Sequence, residues 1–204
     1  MRIYFARHGE SEANVQEVFW NRSAGYGLTD TGRAQARALS RTLSDIPFAA
    51  LYCSPILRAR QTAAIVGQKL DLEPEPADGL REWDVGILEG RTYTEETQAL
   101  HRRTTEAWLV HGDLNARIEG GESYVDIAAR FEPFIAHLVA IYGATQDNVL
   151  LISHGGLLVT MLPELLTNVD VVSALRWGCP YASPIVAERR GGEWVCLRWG
   201  DLVP

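Results

Sequence analysis

Lysine is almost absent from this sequence of 204 residues. Lys69 is the only one, so 18 of the 19 basic residues are arginines, and 26 acidic residues give a formal net charge of −7. Proteins that bind nucleic acid usually carry a basic domain or stripe, so nucleic acid is not the expected partner. Arginine presents a planar fork that binds phosphate or carboxylate. We attribute most of these arginines to a composition bias, but a local cluster of them can still bind a small anion.

Cysteine is also scarce, and long apolar runs are missing. Cys53, Cys179 and Cys196 are widely spaced and form no C-x-x-C pair, which argues against a zinc knuckle and a redox dithiol. Reduced, buried thiols of a cytosolic protein are the expected state. No run reaches about 18 apolar residues, and the N-terminus turns polar too soon for a signal peptide. The sequence therefore predicts a cytoplasmic protein with no membrane partner.

Patterns typical of strands and of helices alternate along the chain. The length fits one domain, residues 1–204, with a sizeable core. Predicted strands cover 2–7, 48–53 and 148–153, and a hairpin covers 183–187 and 193–199. Predicted helices cover 29–44, 54–70, 123–142 and 154–166, with a loop at 71–78. This alternation predicts an α/β fold with a mostly parallel sheet. Residues 92–120 read as a polar helical insertion that covers the site like a lid.

Polar residues follow the ends of several predicted strands. His8 and His154 each follow a strand and precede a glycine, Arg58 lies one turn into the helix after a third strand, and Glu82 follows Leu80. Ligands of open α/β sheets bind beyond the carboxyl ends of the strands, so these side chains can meet although they are distant in sequence. Glycine at such turns lets an anion approach backbone N–H groups.

This set of residue types suits phosphoryl transfer. A neutral imidazole is a competent nucleophile near pH 7, and fixed guanidinium groups can hold the phosphoryl oxygens. A carboxylic acid can supply the proton that a leaving alkoxide needs. The scheme requires neither a metal nor another cofactor.

Six ordered segments of the chain form a characteristic set: RHGE at 7–10 with Asn14, the GLT-x-x-G-x-x-QA region at 27–36, SPILRARQTA at 54–63, LREWDVGILEG at 80–90, GES at 121–123 and SHGG at 153–156. Together they resemble the motifs of the histidine phosphatase superfamily, the group that includes cofactor-dependent phosphoglycerate mutases. The resemblance covers nearly the whole chain.

The resemblance implies a fold and a set of roles. The fold would be a three-layer sandwich with helices on both faces of the central sheet. His8 would attack phosphorus and become a phosphohistidine, while Glu82 would protonate the leaving oxygen and then activate water. The residues that would hold the phosphoryl group are Arg7, Asn14, Arg58, His154 and Gly155. The substrate would be a small phosphomonoester, and a second copy of the chain is the one protein partner left open.

Three functions stay open at this point. Residues 91–115 carry Glu95, Glu96 and Glu106 and no lysine. An acidic lid would repel a bisphosphorylated intermediate, so the sequence favours a phosphatase over a phosphoglycerate mutase. The third alternative is a binding module for a phosphorylated ligand that has lost catalysis. Such a module should show a substitution at a catalytic position, and none is present.

Several roles also have plainer interpretations. Glu82 could be purely structural, with Asp84 and Glu89 as nearby carboxylates, and Asn14 could cap a short helix. The loop at 19–26 departs from the family pattern, and its Arg22 and Tyr26 are either substrate contacts or ordinary loop residues. The remaining histidines are interpreted as packed or solvated rather than catalytic: His101, His111 and His137. Glu122 is expected to support the first turn of its helix.

Overall fold

A six-stranded sheet forms the centre of the protein. The computed structural model describes residues 1–22, 25–145 and 147–204. The strands are β1 (Arg2–Arg7), β2 (Ala50–Cys53), β3 (Pro74–Pro76), β4 (Asn148–Ser153), β5 (Pro184–Arg190) and β6 (Glu193–Trp199). Their order across the sheet is β3-β2-β4-β1-β5-β6. Strands β1 to β4 are parallel, and the hairpin β5–β6 adds an antiparallel edge beside β1.

Helices cover both faces of this sheet. They are α1 (Glu12–Val15), α2 (Asp30–Thr42), α3 (Leu57–Leu70), α4 (Glu95–Leu109), α5 (Tyr124–Tyr142), α6 (Gly155–Leu165) and α7 (Val171–Trp177). Short 3-10 turns lie at Asp78–Leu80 and Gly86–Leu88. None of the helices in the described ranges is long and apolar enough to cross a membrane. The predicted α/β architecture with helices on both faces is confirmed.

The alternation of side chains along β1 divides the core in two. Ile3 and Phe5 point to the face covered by α5 and α6, whereas Tyr4 and Ala6 point to the face covered by α2 and α3. Strand β4 is buried on both faces, as its continuous apolar run predicts. Because burying one large aliphatic or aromatic side chain stabilises a fold by about 1.5–3 kcal/mol, this two-sided core holds the ends of β1 and β4 firmly in place.

Caps explain most of the helix starts. The Thr29 hydroxyl accepts a hydrogen bond from the N–H of Gly32 at 3.0 Å at the start of α2. A capping box between Ser123 and Asp126 opens α5, with the Ser123 N–H donating to the Asp126 carboxylate at 2.9 Å. Both starts agree with the sequence prediction.

Two local predictions are wrong. Helix α3 begins at Leu57 rather than at Pro55, because the buried Ser54 hydroxyl accepts from the N–H of Ile56 at 3.2 Å and holds the chain extended there. The predicted loop at 71–78 contains the edge strand β3. Its two prolines are tolerated because only one side of an edge strand pairs within the sheet.

Candidate active site

The candidate site lies where β1 and β4 end side by side. Arg7 pairs with Ser153 at the last register position of these parallel strands, so His8 and His154 leave the sheet next to each other. Their ring centroids are 5.1 Å apart at an interplanar angle of 62°. Both histidines are buried. The structure therefore brings together two residues that are far apart in the sequence.

The imidazole of His8 is held at both ring nitrogens. Its Nδ1 lies 2.7 Å from the carbonyl oxygen of Gly9, and its Nε2 lies 2.9 Å from the Nε of Arg58. A carbonyl oxygen only accepts and a guanidinium only donates, so these partners assign the proton to Nδ1 and the lone pair to Nε2. Burial, and then the charges of Arg58 and Arg7, lower the pKa of His8 well below 6.5. His8 is thus neutral near pH 7, and its Nε2 lone pair is directed toward Arg58.

The turn after β1 is fixed by close contact between two glycines. A Cβ atom at Gly9 would overlap the carbonyl oxygen of Gly32, and a Cβ atom at Gly32 would overlap the carbonyl oxygen of Glu10. The N–H of Gly9 also donates to the hydroxyl of Thr62 at 3.1 Å. The first turn of α2 therefore locks the backbone that carries the His8 partner.

Arg58 reaches the site from the first turn of α3. Beyond its contact with His8, its Nη1 donates to the Trp20 carbonyl oxygen at 2.6 Å and its Nη2 donates to Asn21 Oδ1 at 3.2 Å. The side chain is buried. Burial lowers the pKa of Arg58, and the nearby Glu82 carboxylate opposes this shift. Arg58 is thereby a positioned cation inside the cavity.

Arg7 provides the second cation. Its Nη1 donates to the Cys179 carbonyl oxygen at 3.0 Å, and its guanidinium carbon lies 4.0 Å from the centre of the Tyr181 ring. Its buried Nε has no hydrogen-bond partner among the described residues. Since an unpaired buried donor is costly, this N–H is suited to an incoming oxygen.

His154 contacts the loop before α3. Its Nε2 lies 2.7 Å from the Ser54 hydroxyl, while its buried Nδ1 has no partner in the part of the chain that the structure describes. Burial, followed by the charges of Arg58, His8, Arg7 and Arg130, lowers the pKa of His154 well below 6.5. This ring is therefore neutral, and one of its two nitrogens is unpaired among the described residues.

Glu82 is held by the N-terminus of α6. Its Oε1 accepts from the N–H of Leu157 at 2.7 Å and from the N–H of Trp83 at 3.1 Å, and its Oε2 accepts from the N–H of Gly156 at 2.9 Å. A Cβ atom at Gly156 would lie 2.8 Å from Oε1. These contacts orient the carboxyl group, and a helix N-terminus favours an acidic side chain there.

A cavity of about 190 Å³ joins these groups. Of the predicted site residues, it is lined by Arg7, His8, Asn14, Arg58 and Glu82. His154 and Gly155 follow the adjacent strand and do not line this cavity. Asn14 Oδ1 accepts from the N–H and hydroxyl of Ser11 at 3.1 and 2.8 Å, so Asn14 completes the capping box whose N-cap is Ser11, and it also borders the cavity.

Other residues of the cavity wall were missed by the sequence prediction. His101, interpreted as packed or solvated, is packed but also lines the cavity. Its ring stacks on Phe19 with centroids 5.4 Å apart and lies 4.9 Å from the Trp83 ring. Burial lowers the pKa of His101 from 6.5 to about 4. The other missed wall residues are Ala13, Val18, Trp83, Tyr93 and Gly156, whereas Phe19, Trp20 and Asn21 belong to the loop at 19–26, a region that usually lines the substrate pocket in the family. The cluster of aromatic letters at 19–20, 83 and 93 was the available signal.

The loop residues singled out from the sequence lie elsewhere. Arg22 pairs with Asp84 at 2.6 Å and does not line the cavity. Tyr26 packs edge-on against Trp20, with centroids 4.8 Å apart. Substrate contact by either side chain thus finds no support in the geometry, and residues 23–24 of this loop lie outside the described ranges.

Glu122 does more than support its own helix. Its carboxylate accepts from Arg130 Nε at 2.9 Å, from Arg81 at 3.1 Å and from the N–H of Asp84 at 2.8 Å. It therefore braces the segment that carries Glu82 from both sides.

The chain belongs to the histidine phosphatase superfamily, branch 1, whose family model matches residues 3–202. The predicted family, the phosphoglycerate mutase-like fold and the phosphatase type of enzyme are confirmed. Among its relatives is the adenosylcobalamin/alpha-ribazole phosphatase of Salmonella typhimurium, 34% identical over 167 residues, which are 82% of this chain and 80% of the relative.

Two further relatives widen the comparison. A Proteus mirabilis protein named "Probable phosphoglycerate mutase GpmB" is 32% identical over 171 residues, which are 81% of this chain and 75% of that protein. The structure of a mycobacterial glucosyl-3-phosphoglycerate phosphatase with VO3 has a TM-score of 0.80 at 28% identity, covering 98% of both chains. Phosphatase and mutase names thus both occur among the relatives.

Proposed function

We propose that this chain hydrolyses phosphomonoesters of small metabolites through a phosphohistidine formed on His8. The observation that carries the proposal is the orientation of the His8 ring. Its Nδ1 proton is held by the Gly9 carbonyl oxygen at 2.7 Å, and its Nε2 lone pair lies 2.9 Å from a buried guanidinium. A neutral nucleophile beside a fixed cation is the arrangement that attack on a phosphoryl group requires.

In the first step, His8 Nε2 attacks phosphorus. The N–P bond forms while the bond from phosphorus to the leaving oxygen breaks, and Glu82, as the carboxylic acid, gives its proton to that oxygen. Arg7 and Arg58 neutralise the charge on the non-bridging oxygens, and Arg58 moves its Nε–H from the nucleophile to the substrate. Losing one such preorganised donor typically costs about 10²–10³ in rate.

In the second step, water replaces His8. Glu82, now the carboxylate, takes a proton from the water, whose oxygen bonds to phosphorus as the N–P bond breaks. Inorganic phosphate leaves and His8 is neutral again. Atoms and charges balance without a metal, so the proposed reaction needs no cofactor.

The remaining predicted contacts complete the phosphoryl site. His154 Nδ1 is buried without a partner in the described residues, and it donates to the phosphoryl group if the Ser54 hydroxyl donates to Nε2. Asn14 and the N–H of Gly155 supply further donors at the ends of the same loops. The unpaired Nδ1 supports the role of His154, Asn14 lines the cavity, and a Cβ atom at Gly155 would lie 3.2 Å from Arg7 Nε.

Residues 1–204 act as one domain in this proposal, with residues 92–120 as a lid over the site. The support is that Tyr93 and His101, in or just before α4, line the same cavity as His8. Trp108 of the same helix packs on Trp83, with centroids 4.9 Å apart. The lid is thus fastened to the segment that carries Glu82.

A phosphoglycerate mutase is the second candidate, because one relative carries that name. A mutase must hold a bisphosphorylated intermediate. The cavity lining contains only two basic residues within the described ranges, Arg7 and Arg58, and both are engaged at the first phosphoryl group. This charge distribution favours transfer to water.

Phosphoenzyme formation tests the proposal. We expect metal-free hydrolysis of p-nitrophenyl phosphate in the presence of a chelator, and a mass increase of one phosphoryl group after rapid quenching in an alkaline denaturant, because the N–P bond of a phosphohistidine hydrolyses in acid and survives in base. His8→Ala should lose both signals. His137→Ala, at an exposed histidine of α5, is the matched control and should keep them. A phosphorylated His8→Ala protein would overturn the assignment of the nucleophile.

Turnover of different substrates separates the other candidates. Activity only with phosphoglycerate plus its bisphosphate would favour the mutase. Binding of phosphate esters without turnover would favour the non-catalytic module.

The cytoplasm is the proposed compartment. The support is that Cys53, Cys179 and Cys196 are free, buried thiols. Burial raises the pKa of Cys53 and of Cys196 to about 11, which keeps both as unreactive thiols. A homodimer stays a hypothesis that light scattering can test.

A further inference from the structure

One side of the cavity is an aromatic wall, formed by Phe19, Trp83, Tyr93 and His101. The Phe19 ring lies 4.5 Å from the Tyr93 ring and 5.4 Å from His101, which in turn lies 4.9 Å from Trp83. All four side chains line the same cavity as His8. The wall is continuous, because each ring contacts the next.

The backbone fixes this wall. The N–H of Phe19 donates to the Arg91 carbonyl oxygen at 3.0 Å, and the N–H of Gly90 donates to the Phe19 carbonyl oxygen at 2.7 Å. The N–H of Tyr93 donates to the Glu17 carbonyl oxygen at 2.7 Å. Backbone hydrogen bonds thus join residues 17–19 to residues 90–93, and they hold the aromatic rings in place without a ligand.

The charged residues that line the cavity all lie around His8, where the phosphoryl group is proposed to bind. Arg7, Arg58 and Glu82 are the charged residues among the described residues that line the cavity. A bound phosphoryl dianion already balances the two guanidinium groups. A second anionic group on the substrate would therefore meet aromatic rings and no free cation.

We infer that the aromatic wall is a subsite for an uncharged, planar leaving group of about one ring. The inference rests on the proposed phosphatase function and names the substrate class for that site. Flat rings stack on aromatic side chains in offset or edge-on arrangements, which adds to the gain from burying apolar area. The size limit follows from the volume: an apolar cavity of about 150 Å³ holds benzene, and this cavity of about 190 Å³ must hold the phosphoryl group as well, so it leaves room for no more than one ring.

Binding of phosphonates tests the subsite without turnover. Calorimetric titration should give a dissociation constant for benzylphosphonate at least about tenfold lower than for methylphosphonate. Phosphonoacetate, which adds a carboxylate instead of a ring, should bind no more tightly than methylphosphonate. Equal affinities for benzylphosphonate and methylphosphonate, or tightest binding of phosphonoacetate, would overturn the subsite.

Hydrolysis of two alkyl esters gives the second measurement. Benzyl phosphate and glycerol phosphate both need a proton on the leaving oxygen, so the ratio of their kcat/KM values reports contacts to the leaving group. We expect a ratio of about ten or more, equivalent to about 1.4 kcal/mol. If glycerol phosphate is turned over as well as benzyl phosphate, the subsite is refuted while the phosphatase function stands.

Absence of turnover has a different meaning. If neither ester is hydrolysed but benzylphosphonate still binds more tightly, the phosphatase proposal fails and the subsite stands. The two proposals can therefore fail separately.

Variants locate the effect on the wall. Phe19→Leu and Tyr93→Leu should each lower the benzyl-to-glycerol ratio several-fold, because both keep apolar volume and lose the flat ring. Phe19 is buried whereas Tyr93 is 36% exposed, so the Tyr93 variant remains informative if the Phe19 variant does not fold. Val110→Ala, at an exposed residue just after α4, is the matched control and should leave the ratio unchanged. Unchanged ratios in both ring variants would contradict the inference.

Discussion

His101 should make the stability of the protein depend on pH. Its ring is packed between Phe19 and Trp83, and burial lowers its pKa from 6.5 to about 4. In the unfolded chain the ring takes up a proton near pH 6.5, whereas the folded protein resists it until near pH 4. The stabilising contribution is therefore complete above pH 6.5 and is lost as the pH falls toward 4.

The size of this effect follows from the shift. Between pH 7 and pH 5 the unfolded state gains the proton over about 1.5 pH units, and each unit corresponds to about 1.4 kcal/mol. His101 alone should thus lower the free energy of unfolding by about 2 kcal/mol over that interval. The total free energy of unfolding of a protein is only about 5–15 kcal/mol, so a loss of this size is measurable.

Urea unfolding of matched variants isolates the contribution of this one residue. His101→Phe keeps a flat ring and removes the titrating group, so its free energy of unfolding should fall between pH 7 and pH 5 by about 2 kcal/mol less than that of the wild type. His111→Asn, which changes an exposed histidine after the same helix, serves as the control. If His101→Phe and the wild type lose the same free energy, the burial argument is wrong.

Three predictions concern the chemistry. Arg58→Lys keeps the charge but loses the fork that reaches His8, so kcat/KM should fall about 10²–10³-fold while circular dichroism stays unchanged. Glu82→Gln should slow phosphoenzyme formation from alkyl esters by about 10²–10⁴-fold and far less from p-nitrophenyl phosphate, whose leaving group needs no proton; equal slowing would argue against Glu82 as the acid. Protonation of His8 removes its lone pair, and its pKa is lowered, so the acid limb of single-turnover rates should lie well below pH 6.5. An acid limb at or above pH 6.5 would contradict the assigned environment of His8.

The scaffold of the site could be predicted because its signals are local. The continuous apolar run of β4 and the cap at Ser123 depend on a few neighbouring residues, and both appear where expected. The meeting of His8 with His154 needed one further rule, that ligands bind beyond the carboxyl ends of the strands. Chemistry-bearing residues at strand ends are therefore accessible from sequence.

The aromatic wall could not be predicted because its cause is not local. Phe19 and Tyr93 meet only because the segment at 17–19 pairs with the segment at 90–93. His101 reads as an ordinary residue of a polar helix until that helix is placed over the cavity. The sequence pattern likewise predicts that Ser54 caps α3. In the structure α3 begins only at Leu57, and the Ser54 hydroxyl lies 2.7 Å from His154 Nε2. Such contacts join segments that carry no pattern in common.

The hydrogen bond from His8 to its own neighbour has a consequence for how the site tolerates mutation. In many enzymes a carboxylate orients the catalytic imidazole, and one substitution removes it. Here the orienting group is the Gly9 carbonyl oxygen, which every amino acid would supply. Truncating a side chain therefore cannot remove this hydrogen bond. The orientation of His8 depends instead on the close backbone contact between Gly9 and Gly32. A methyl group added at either glycine, neither of which lines the cavity, should disable the enzyme as surely as a change at His8.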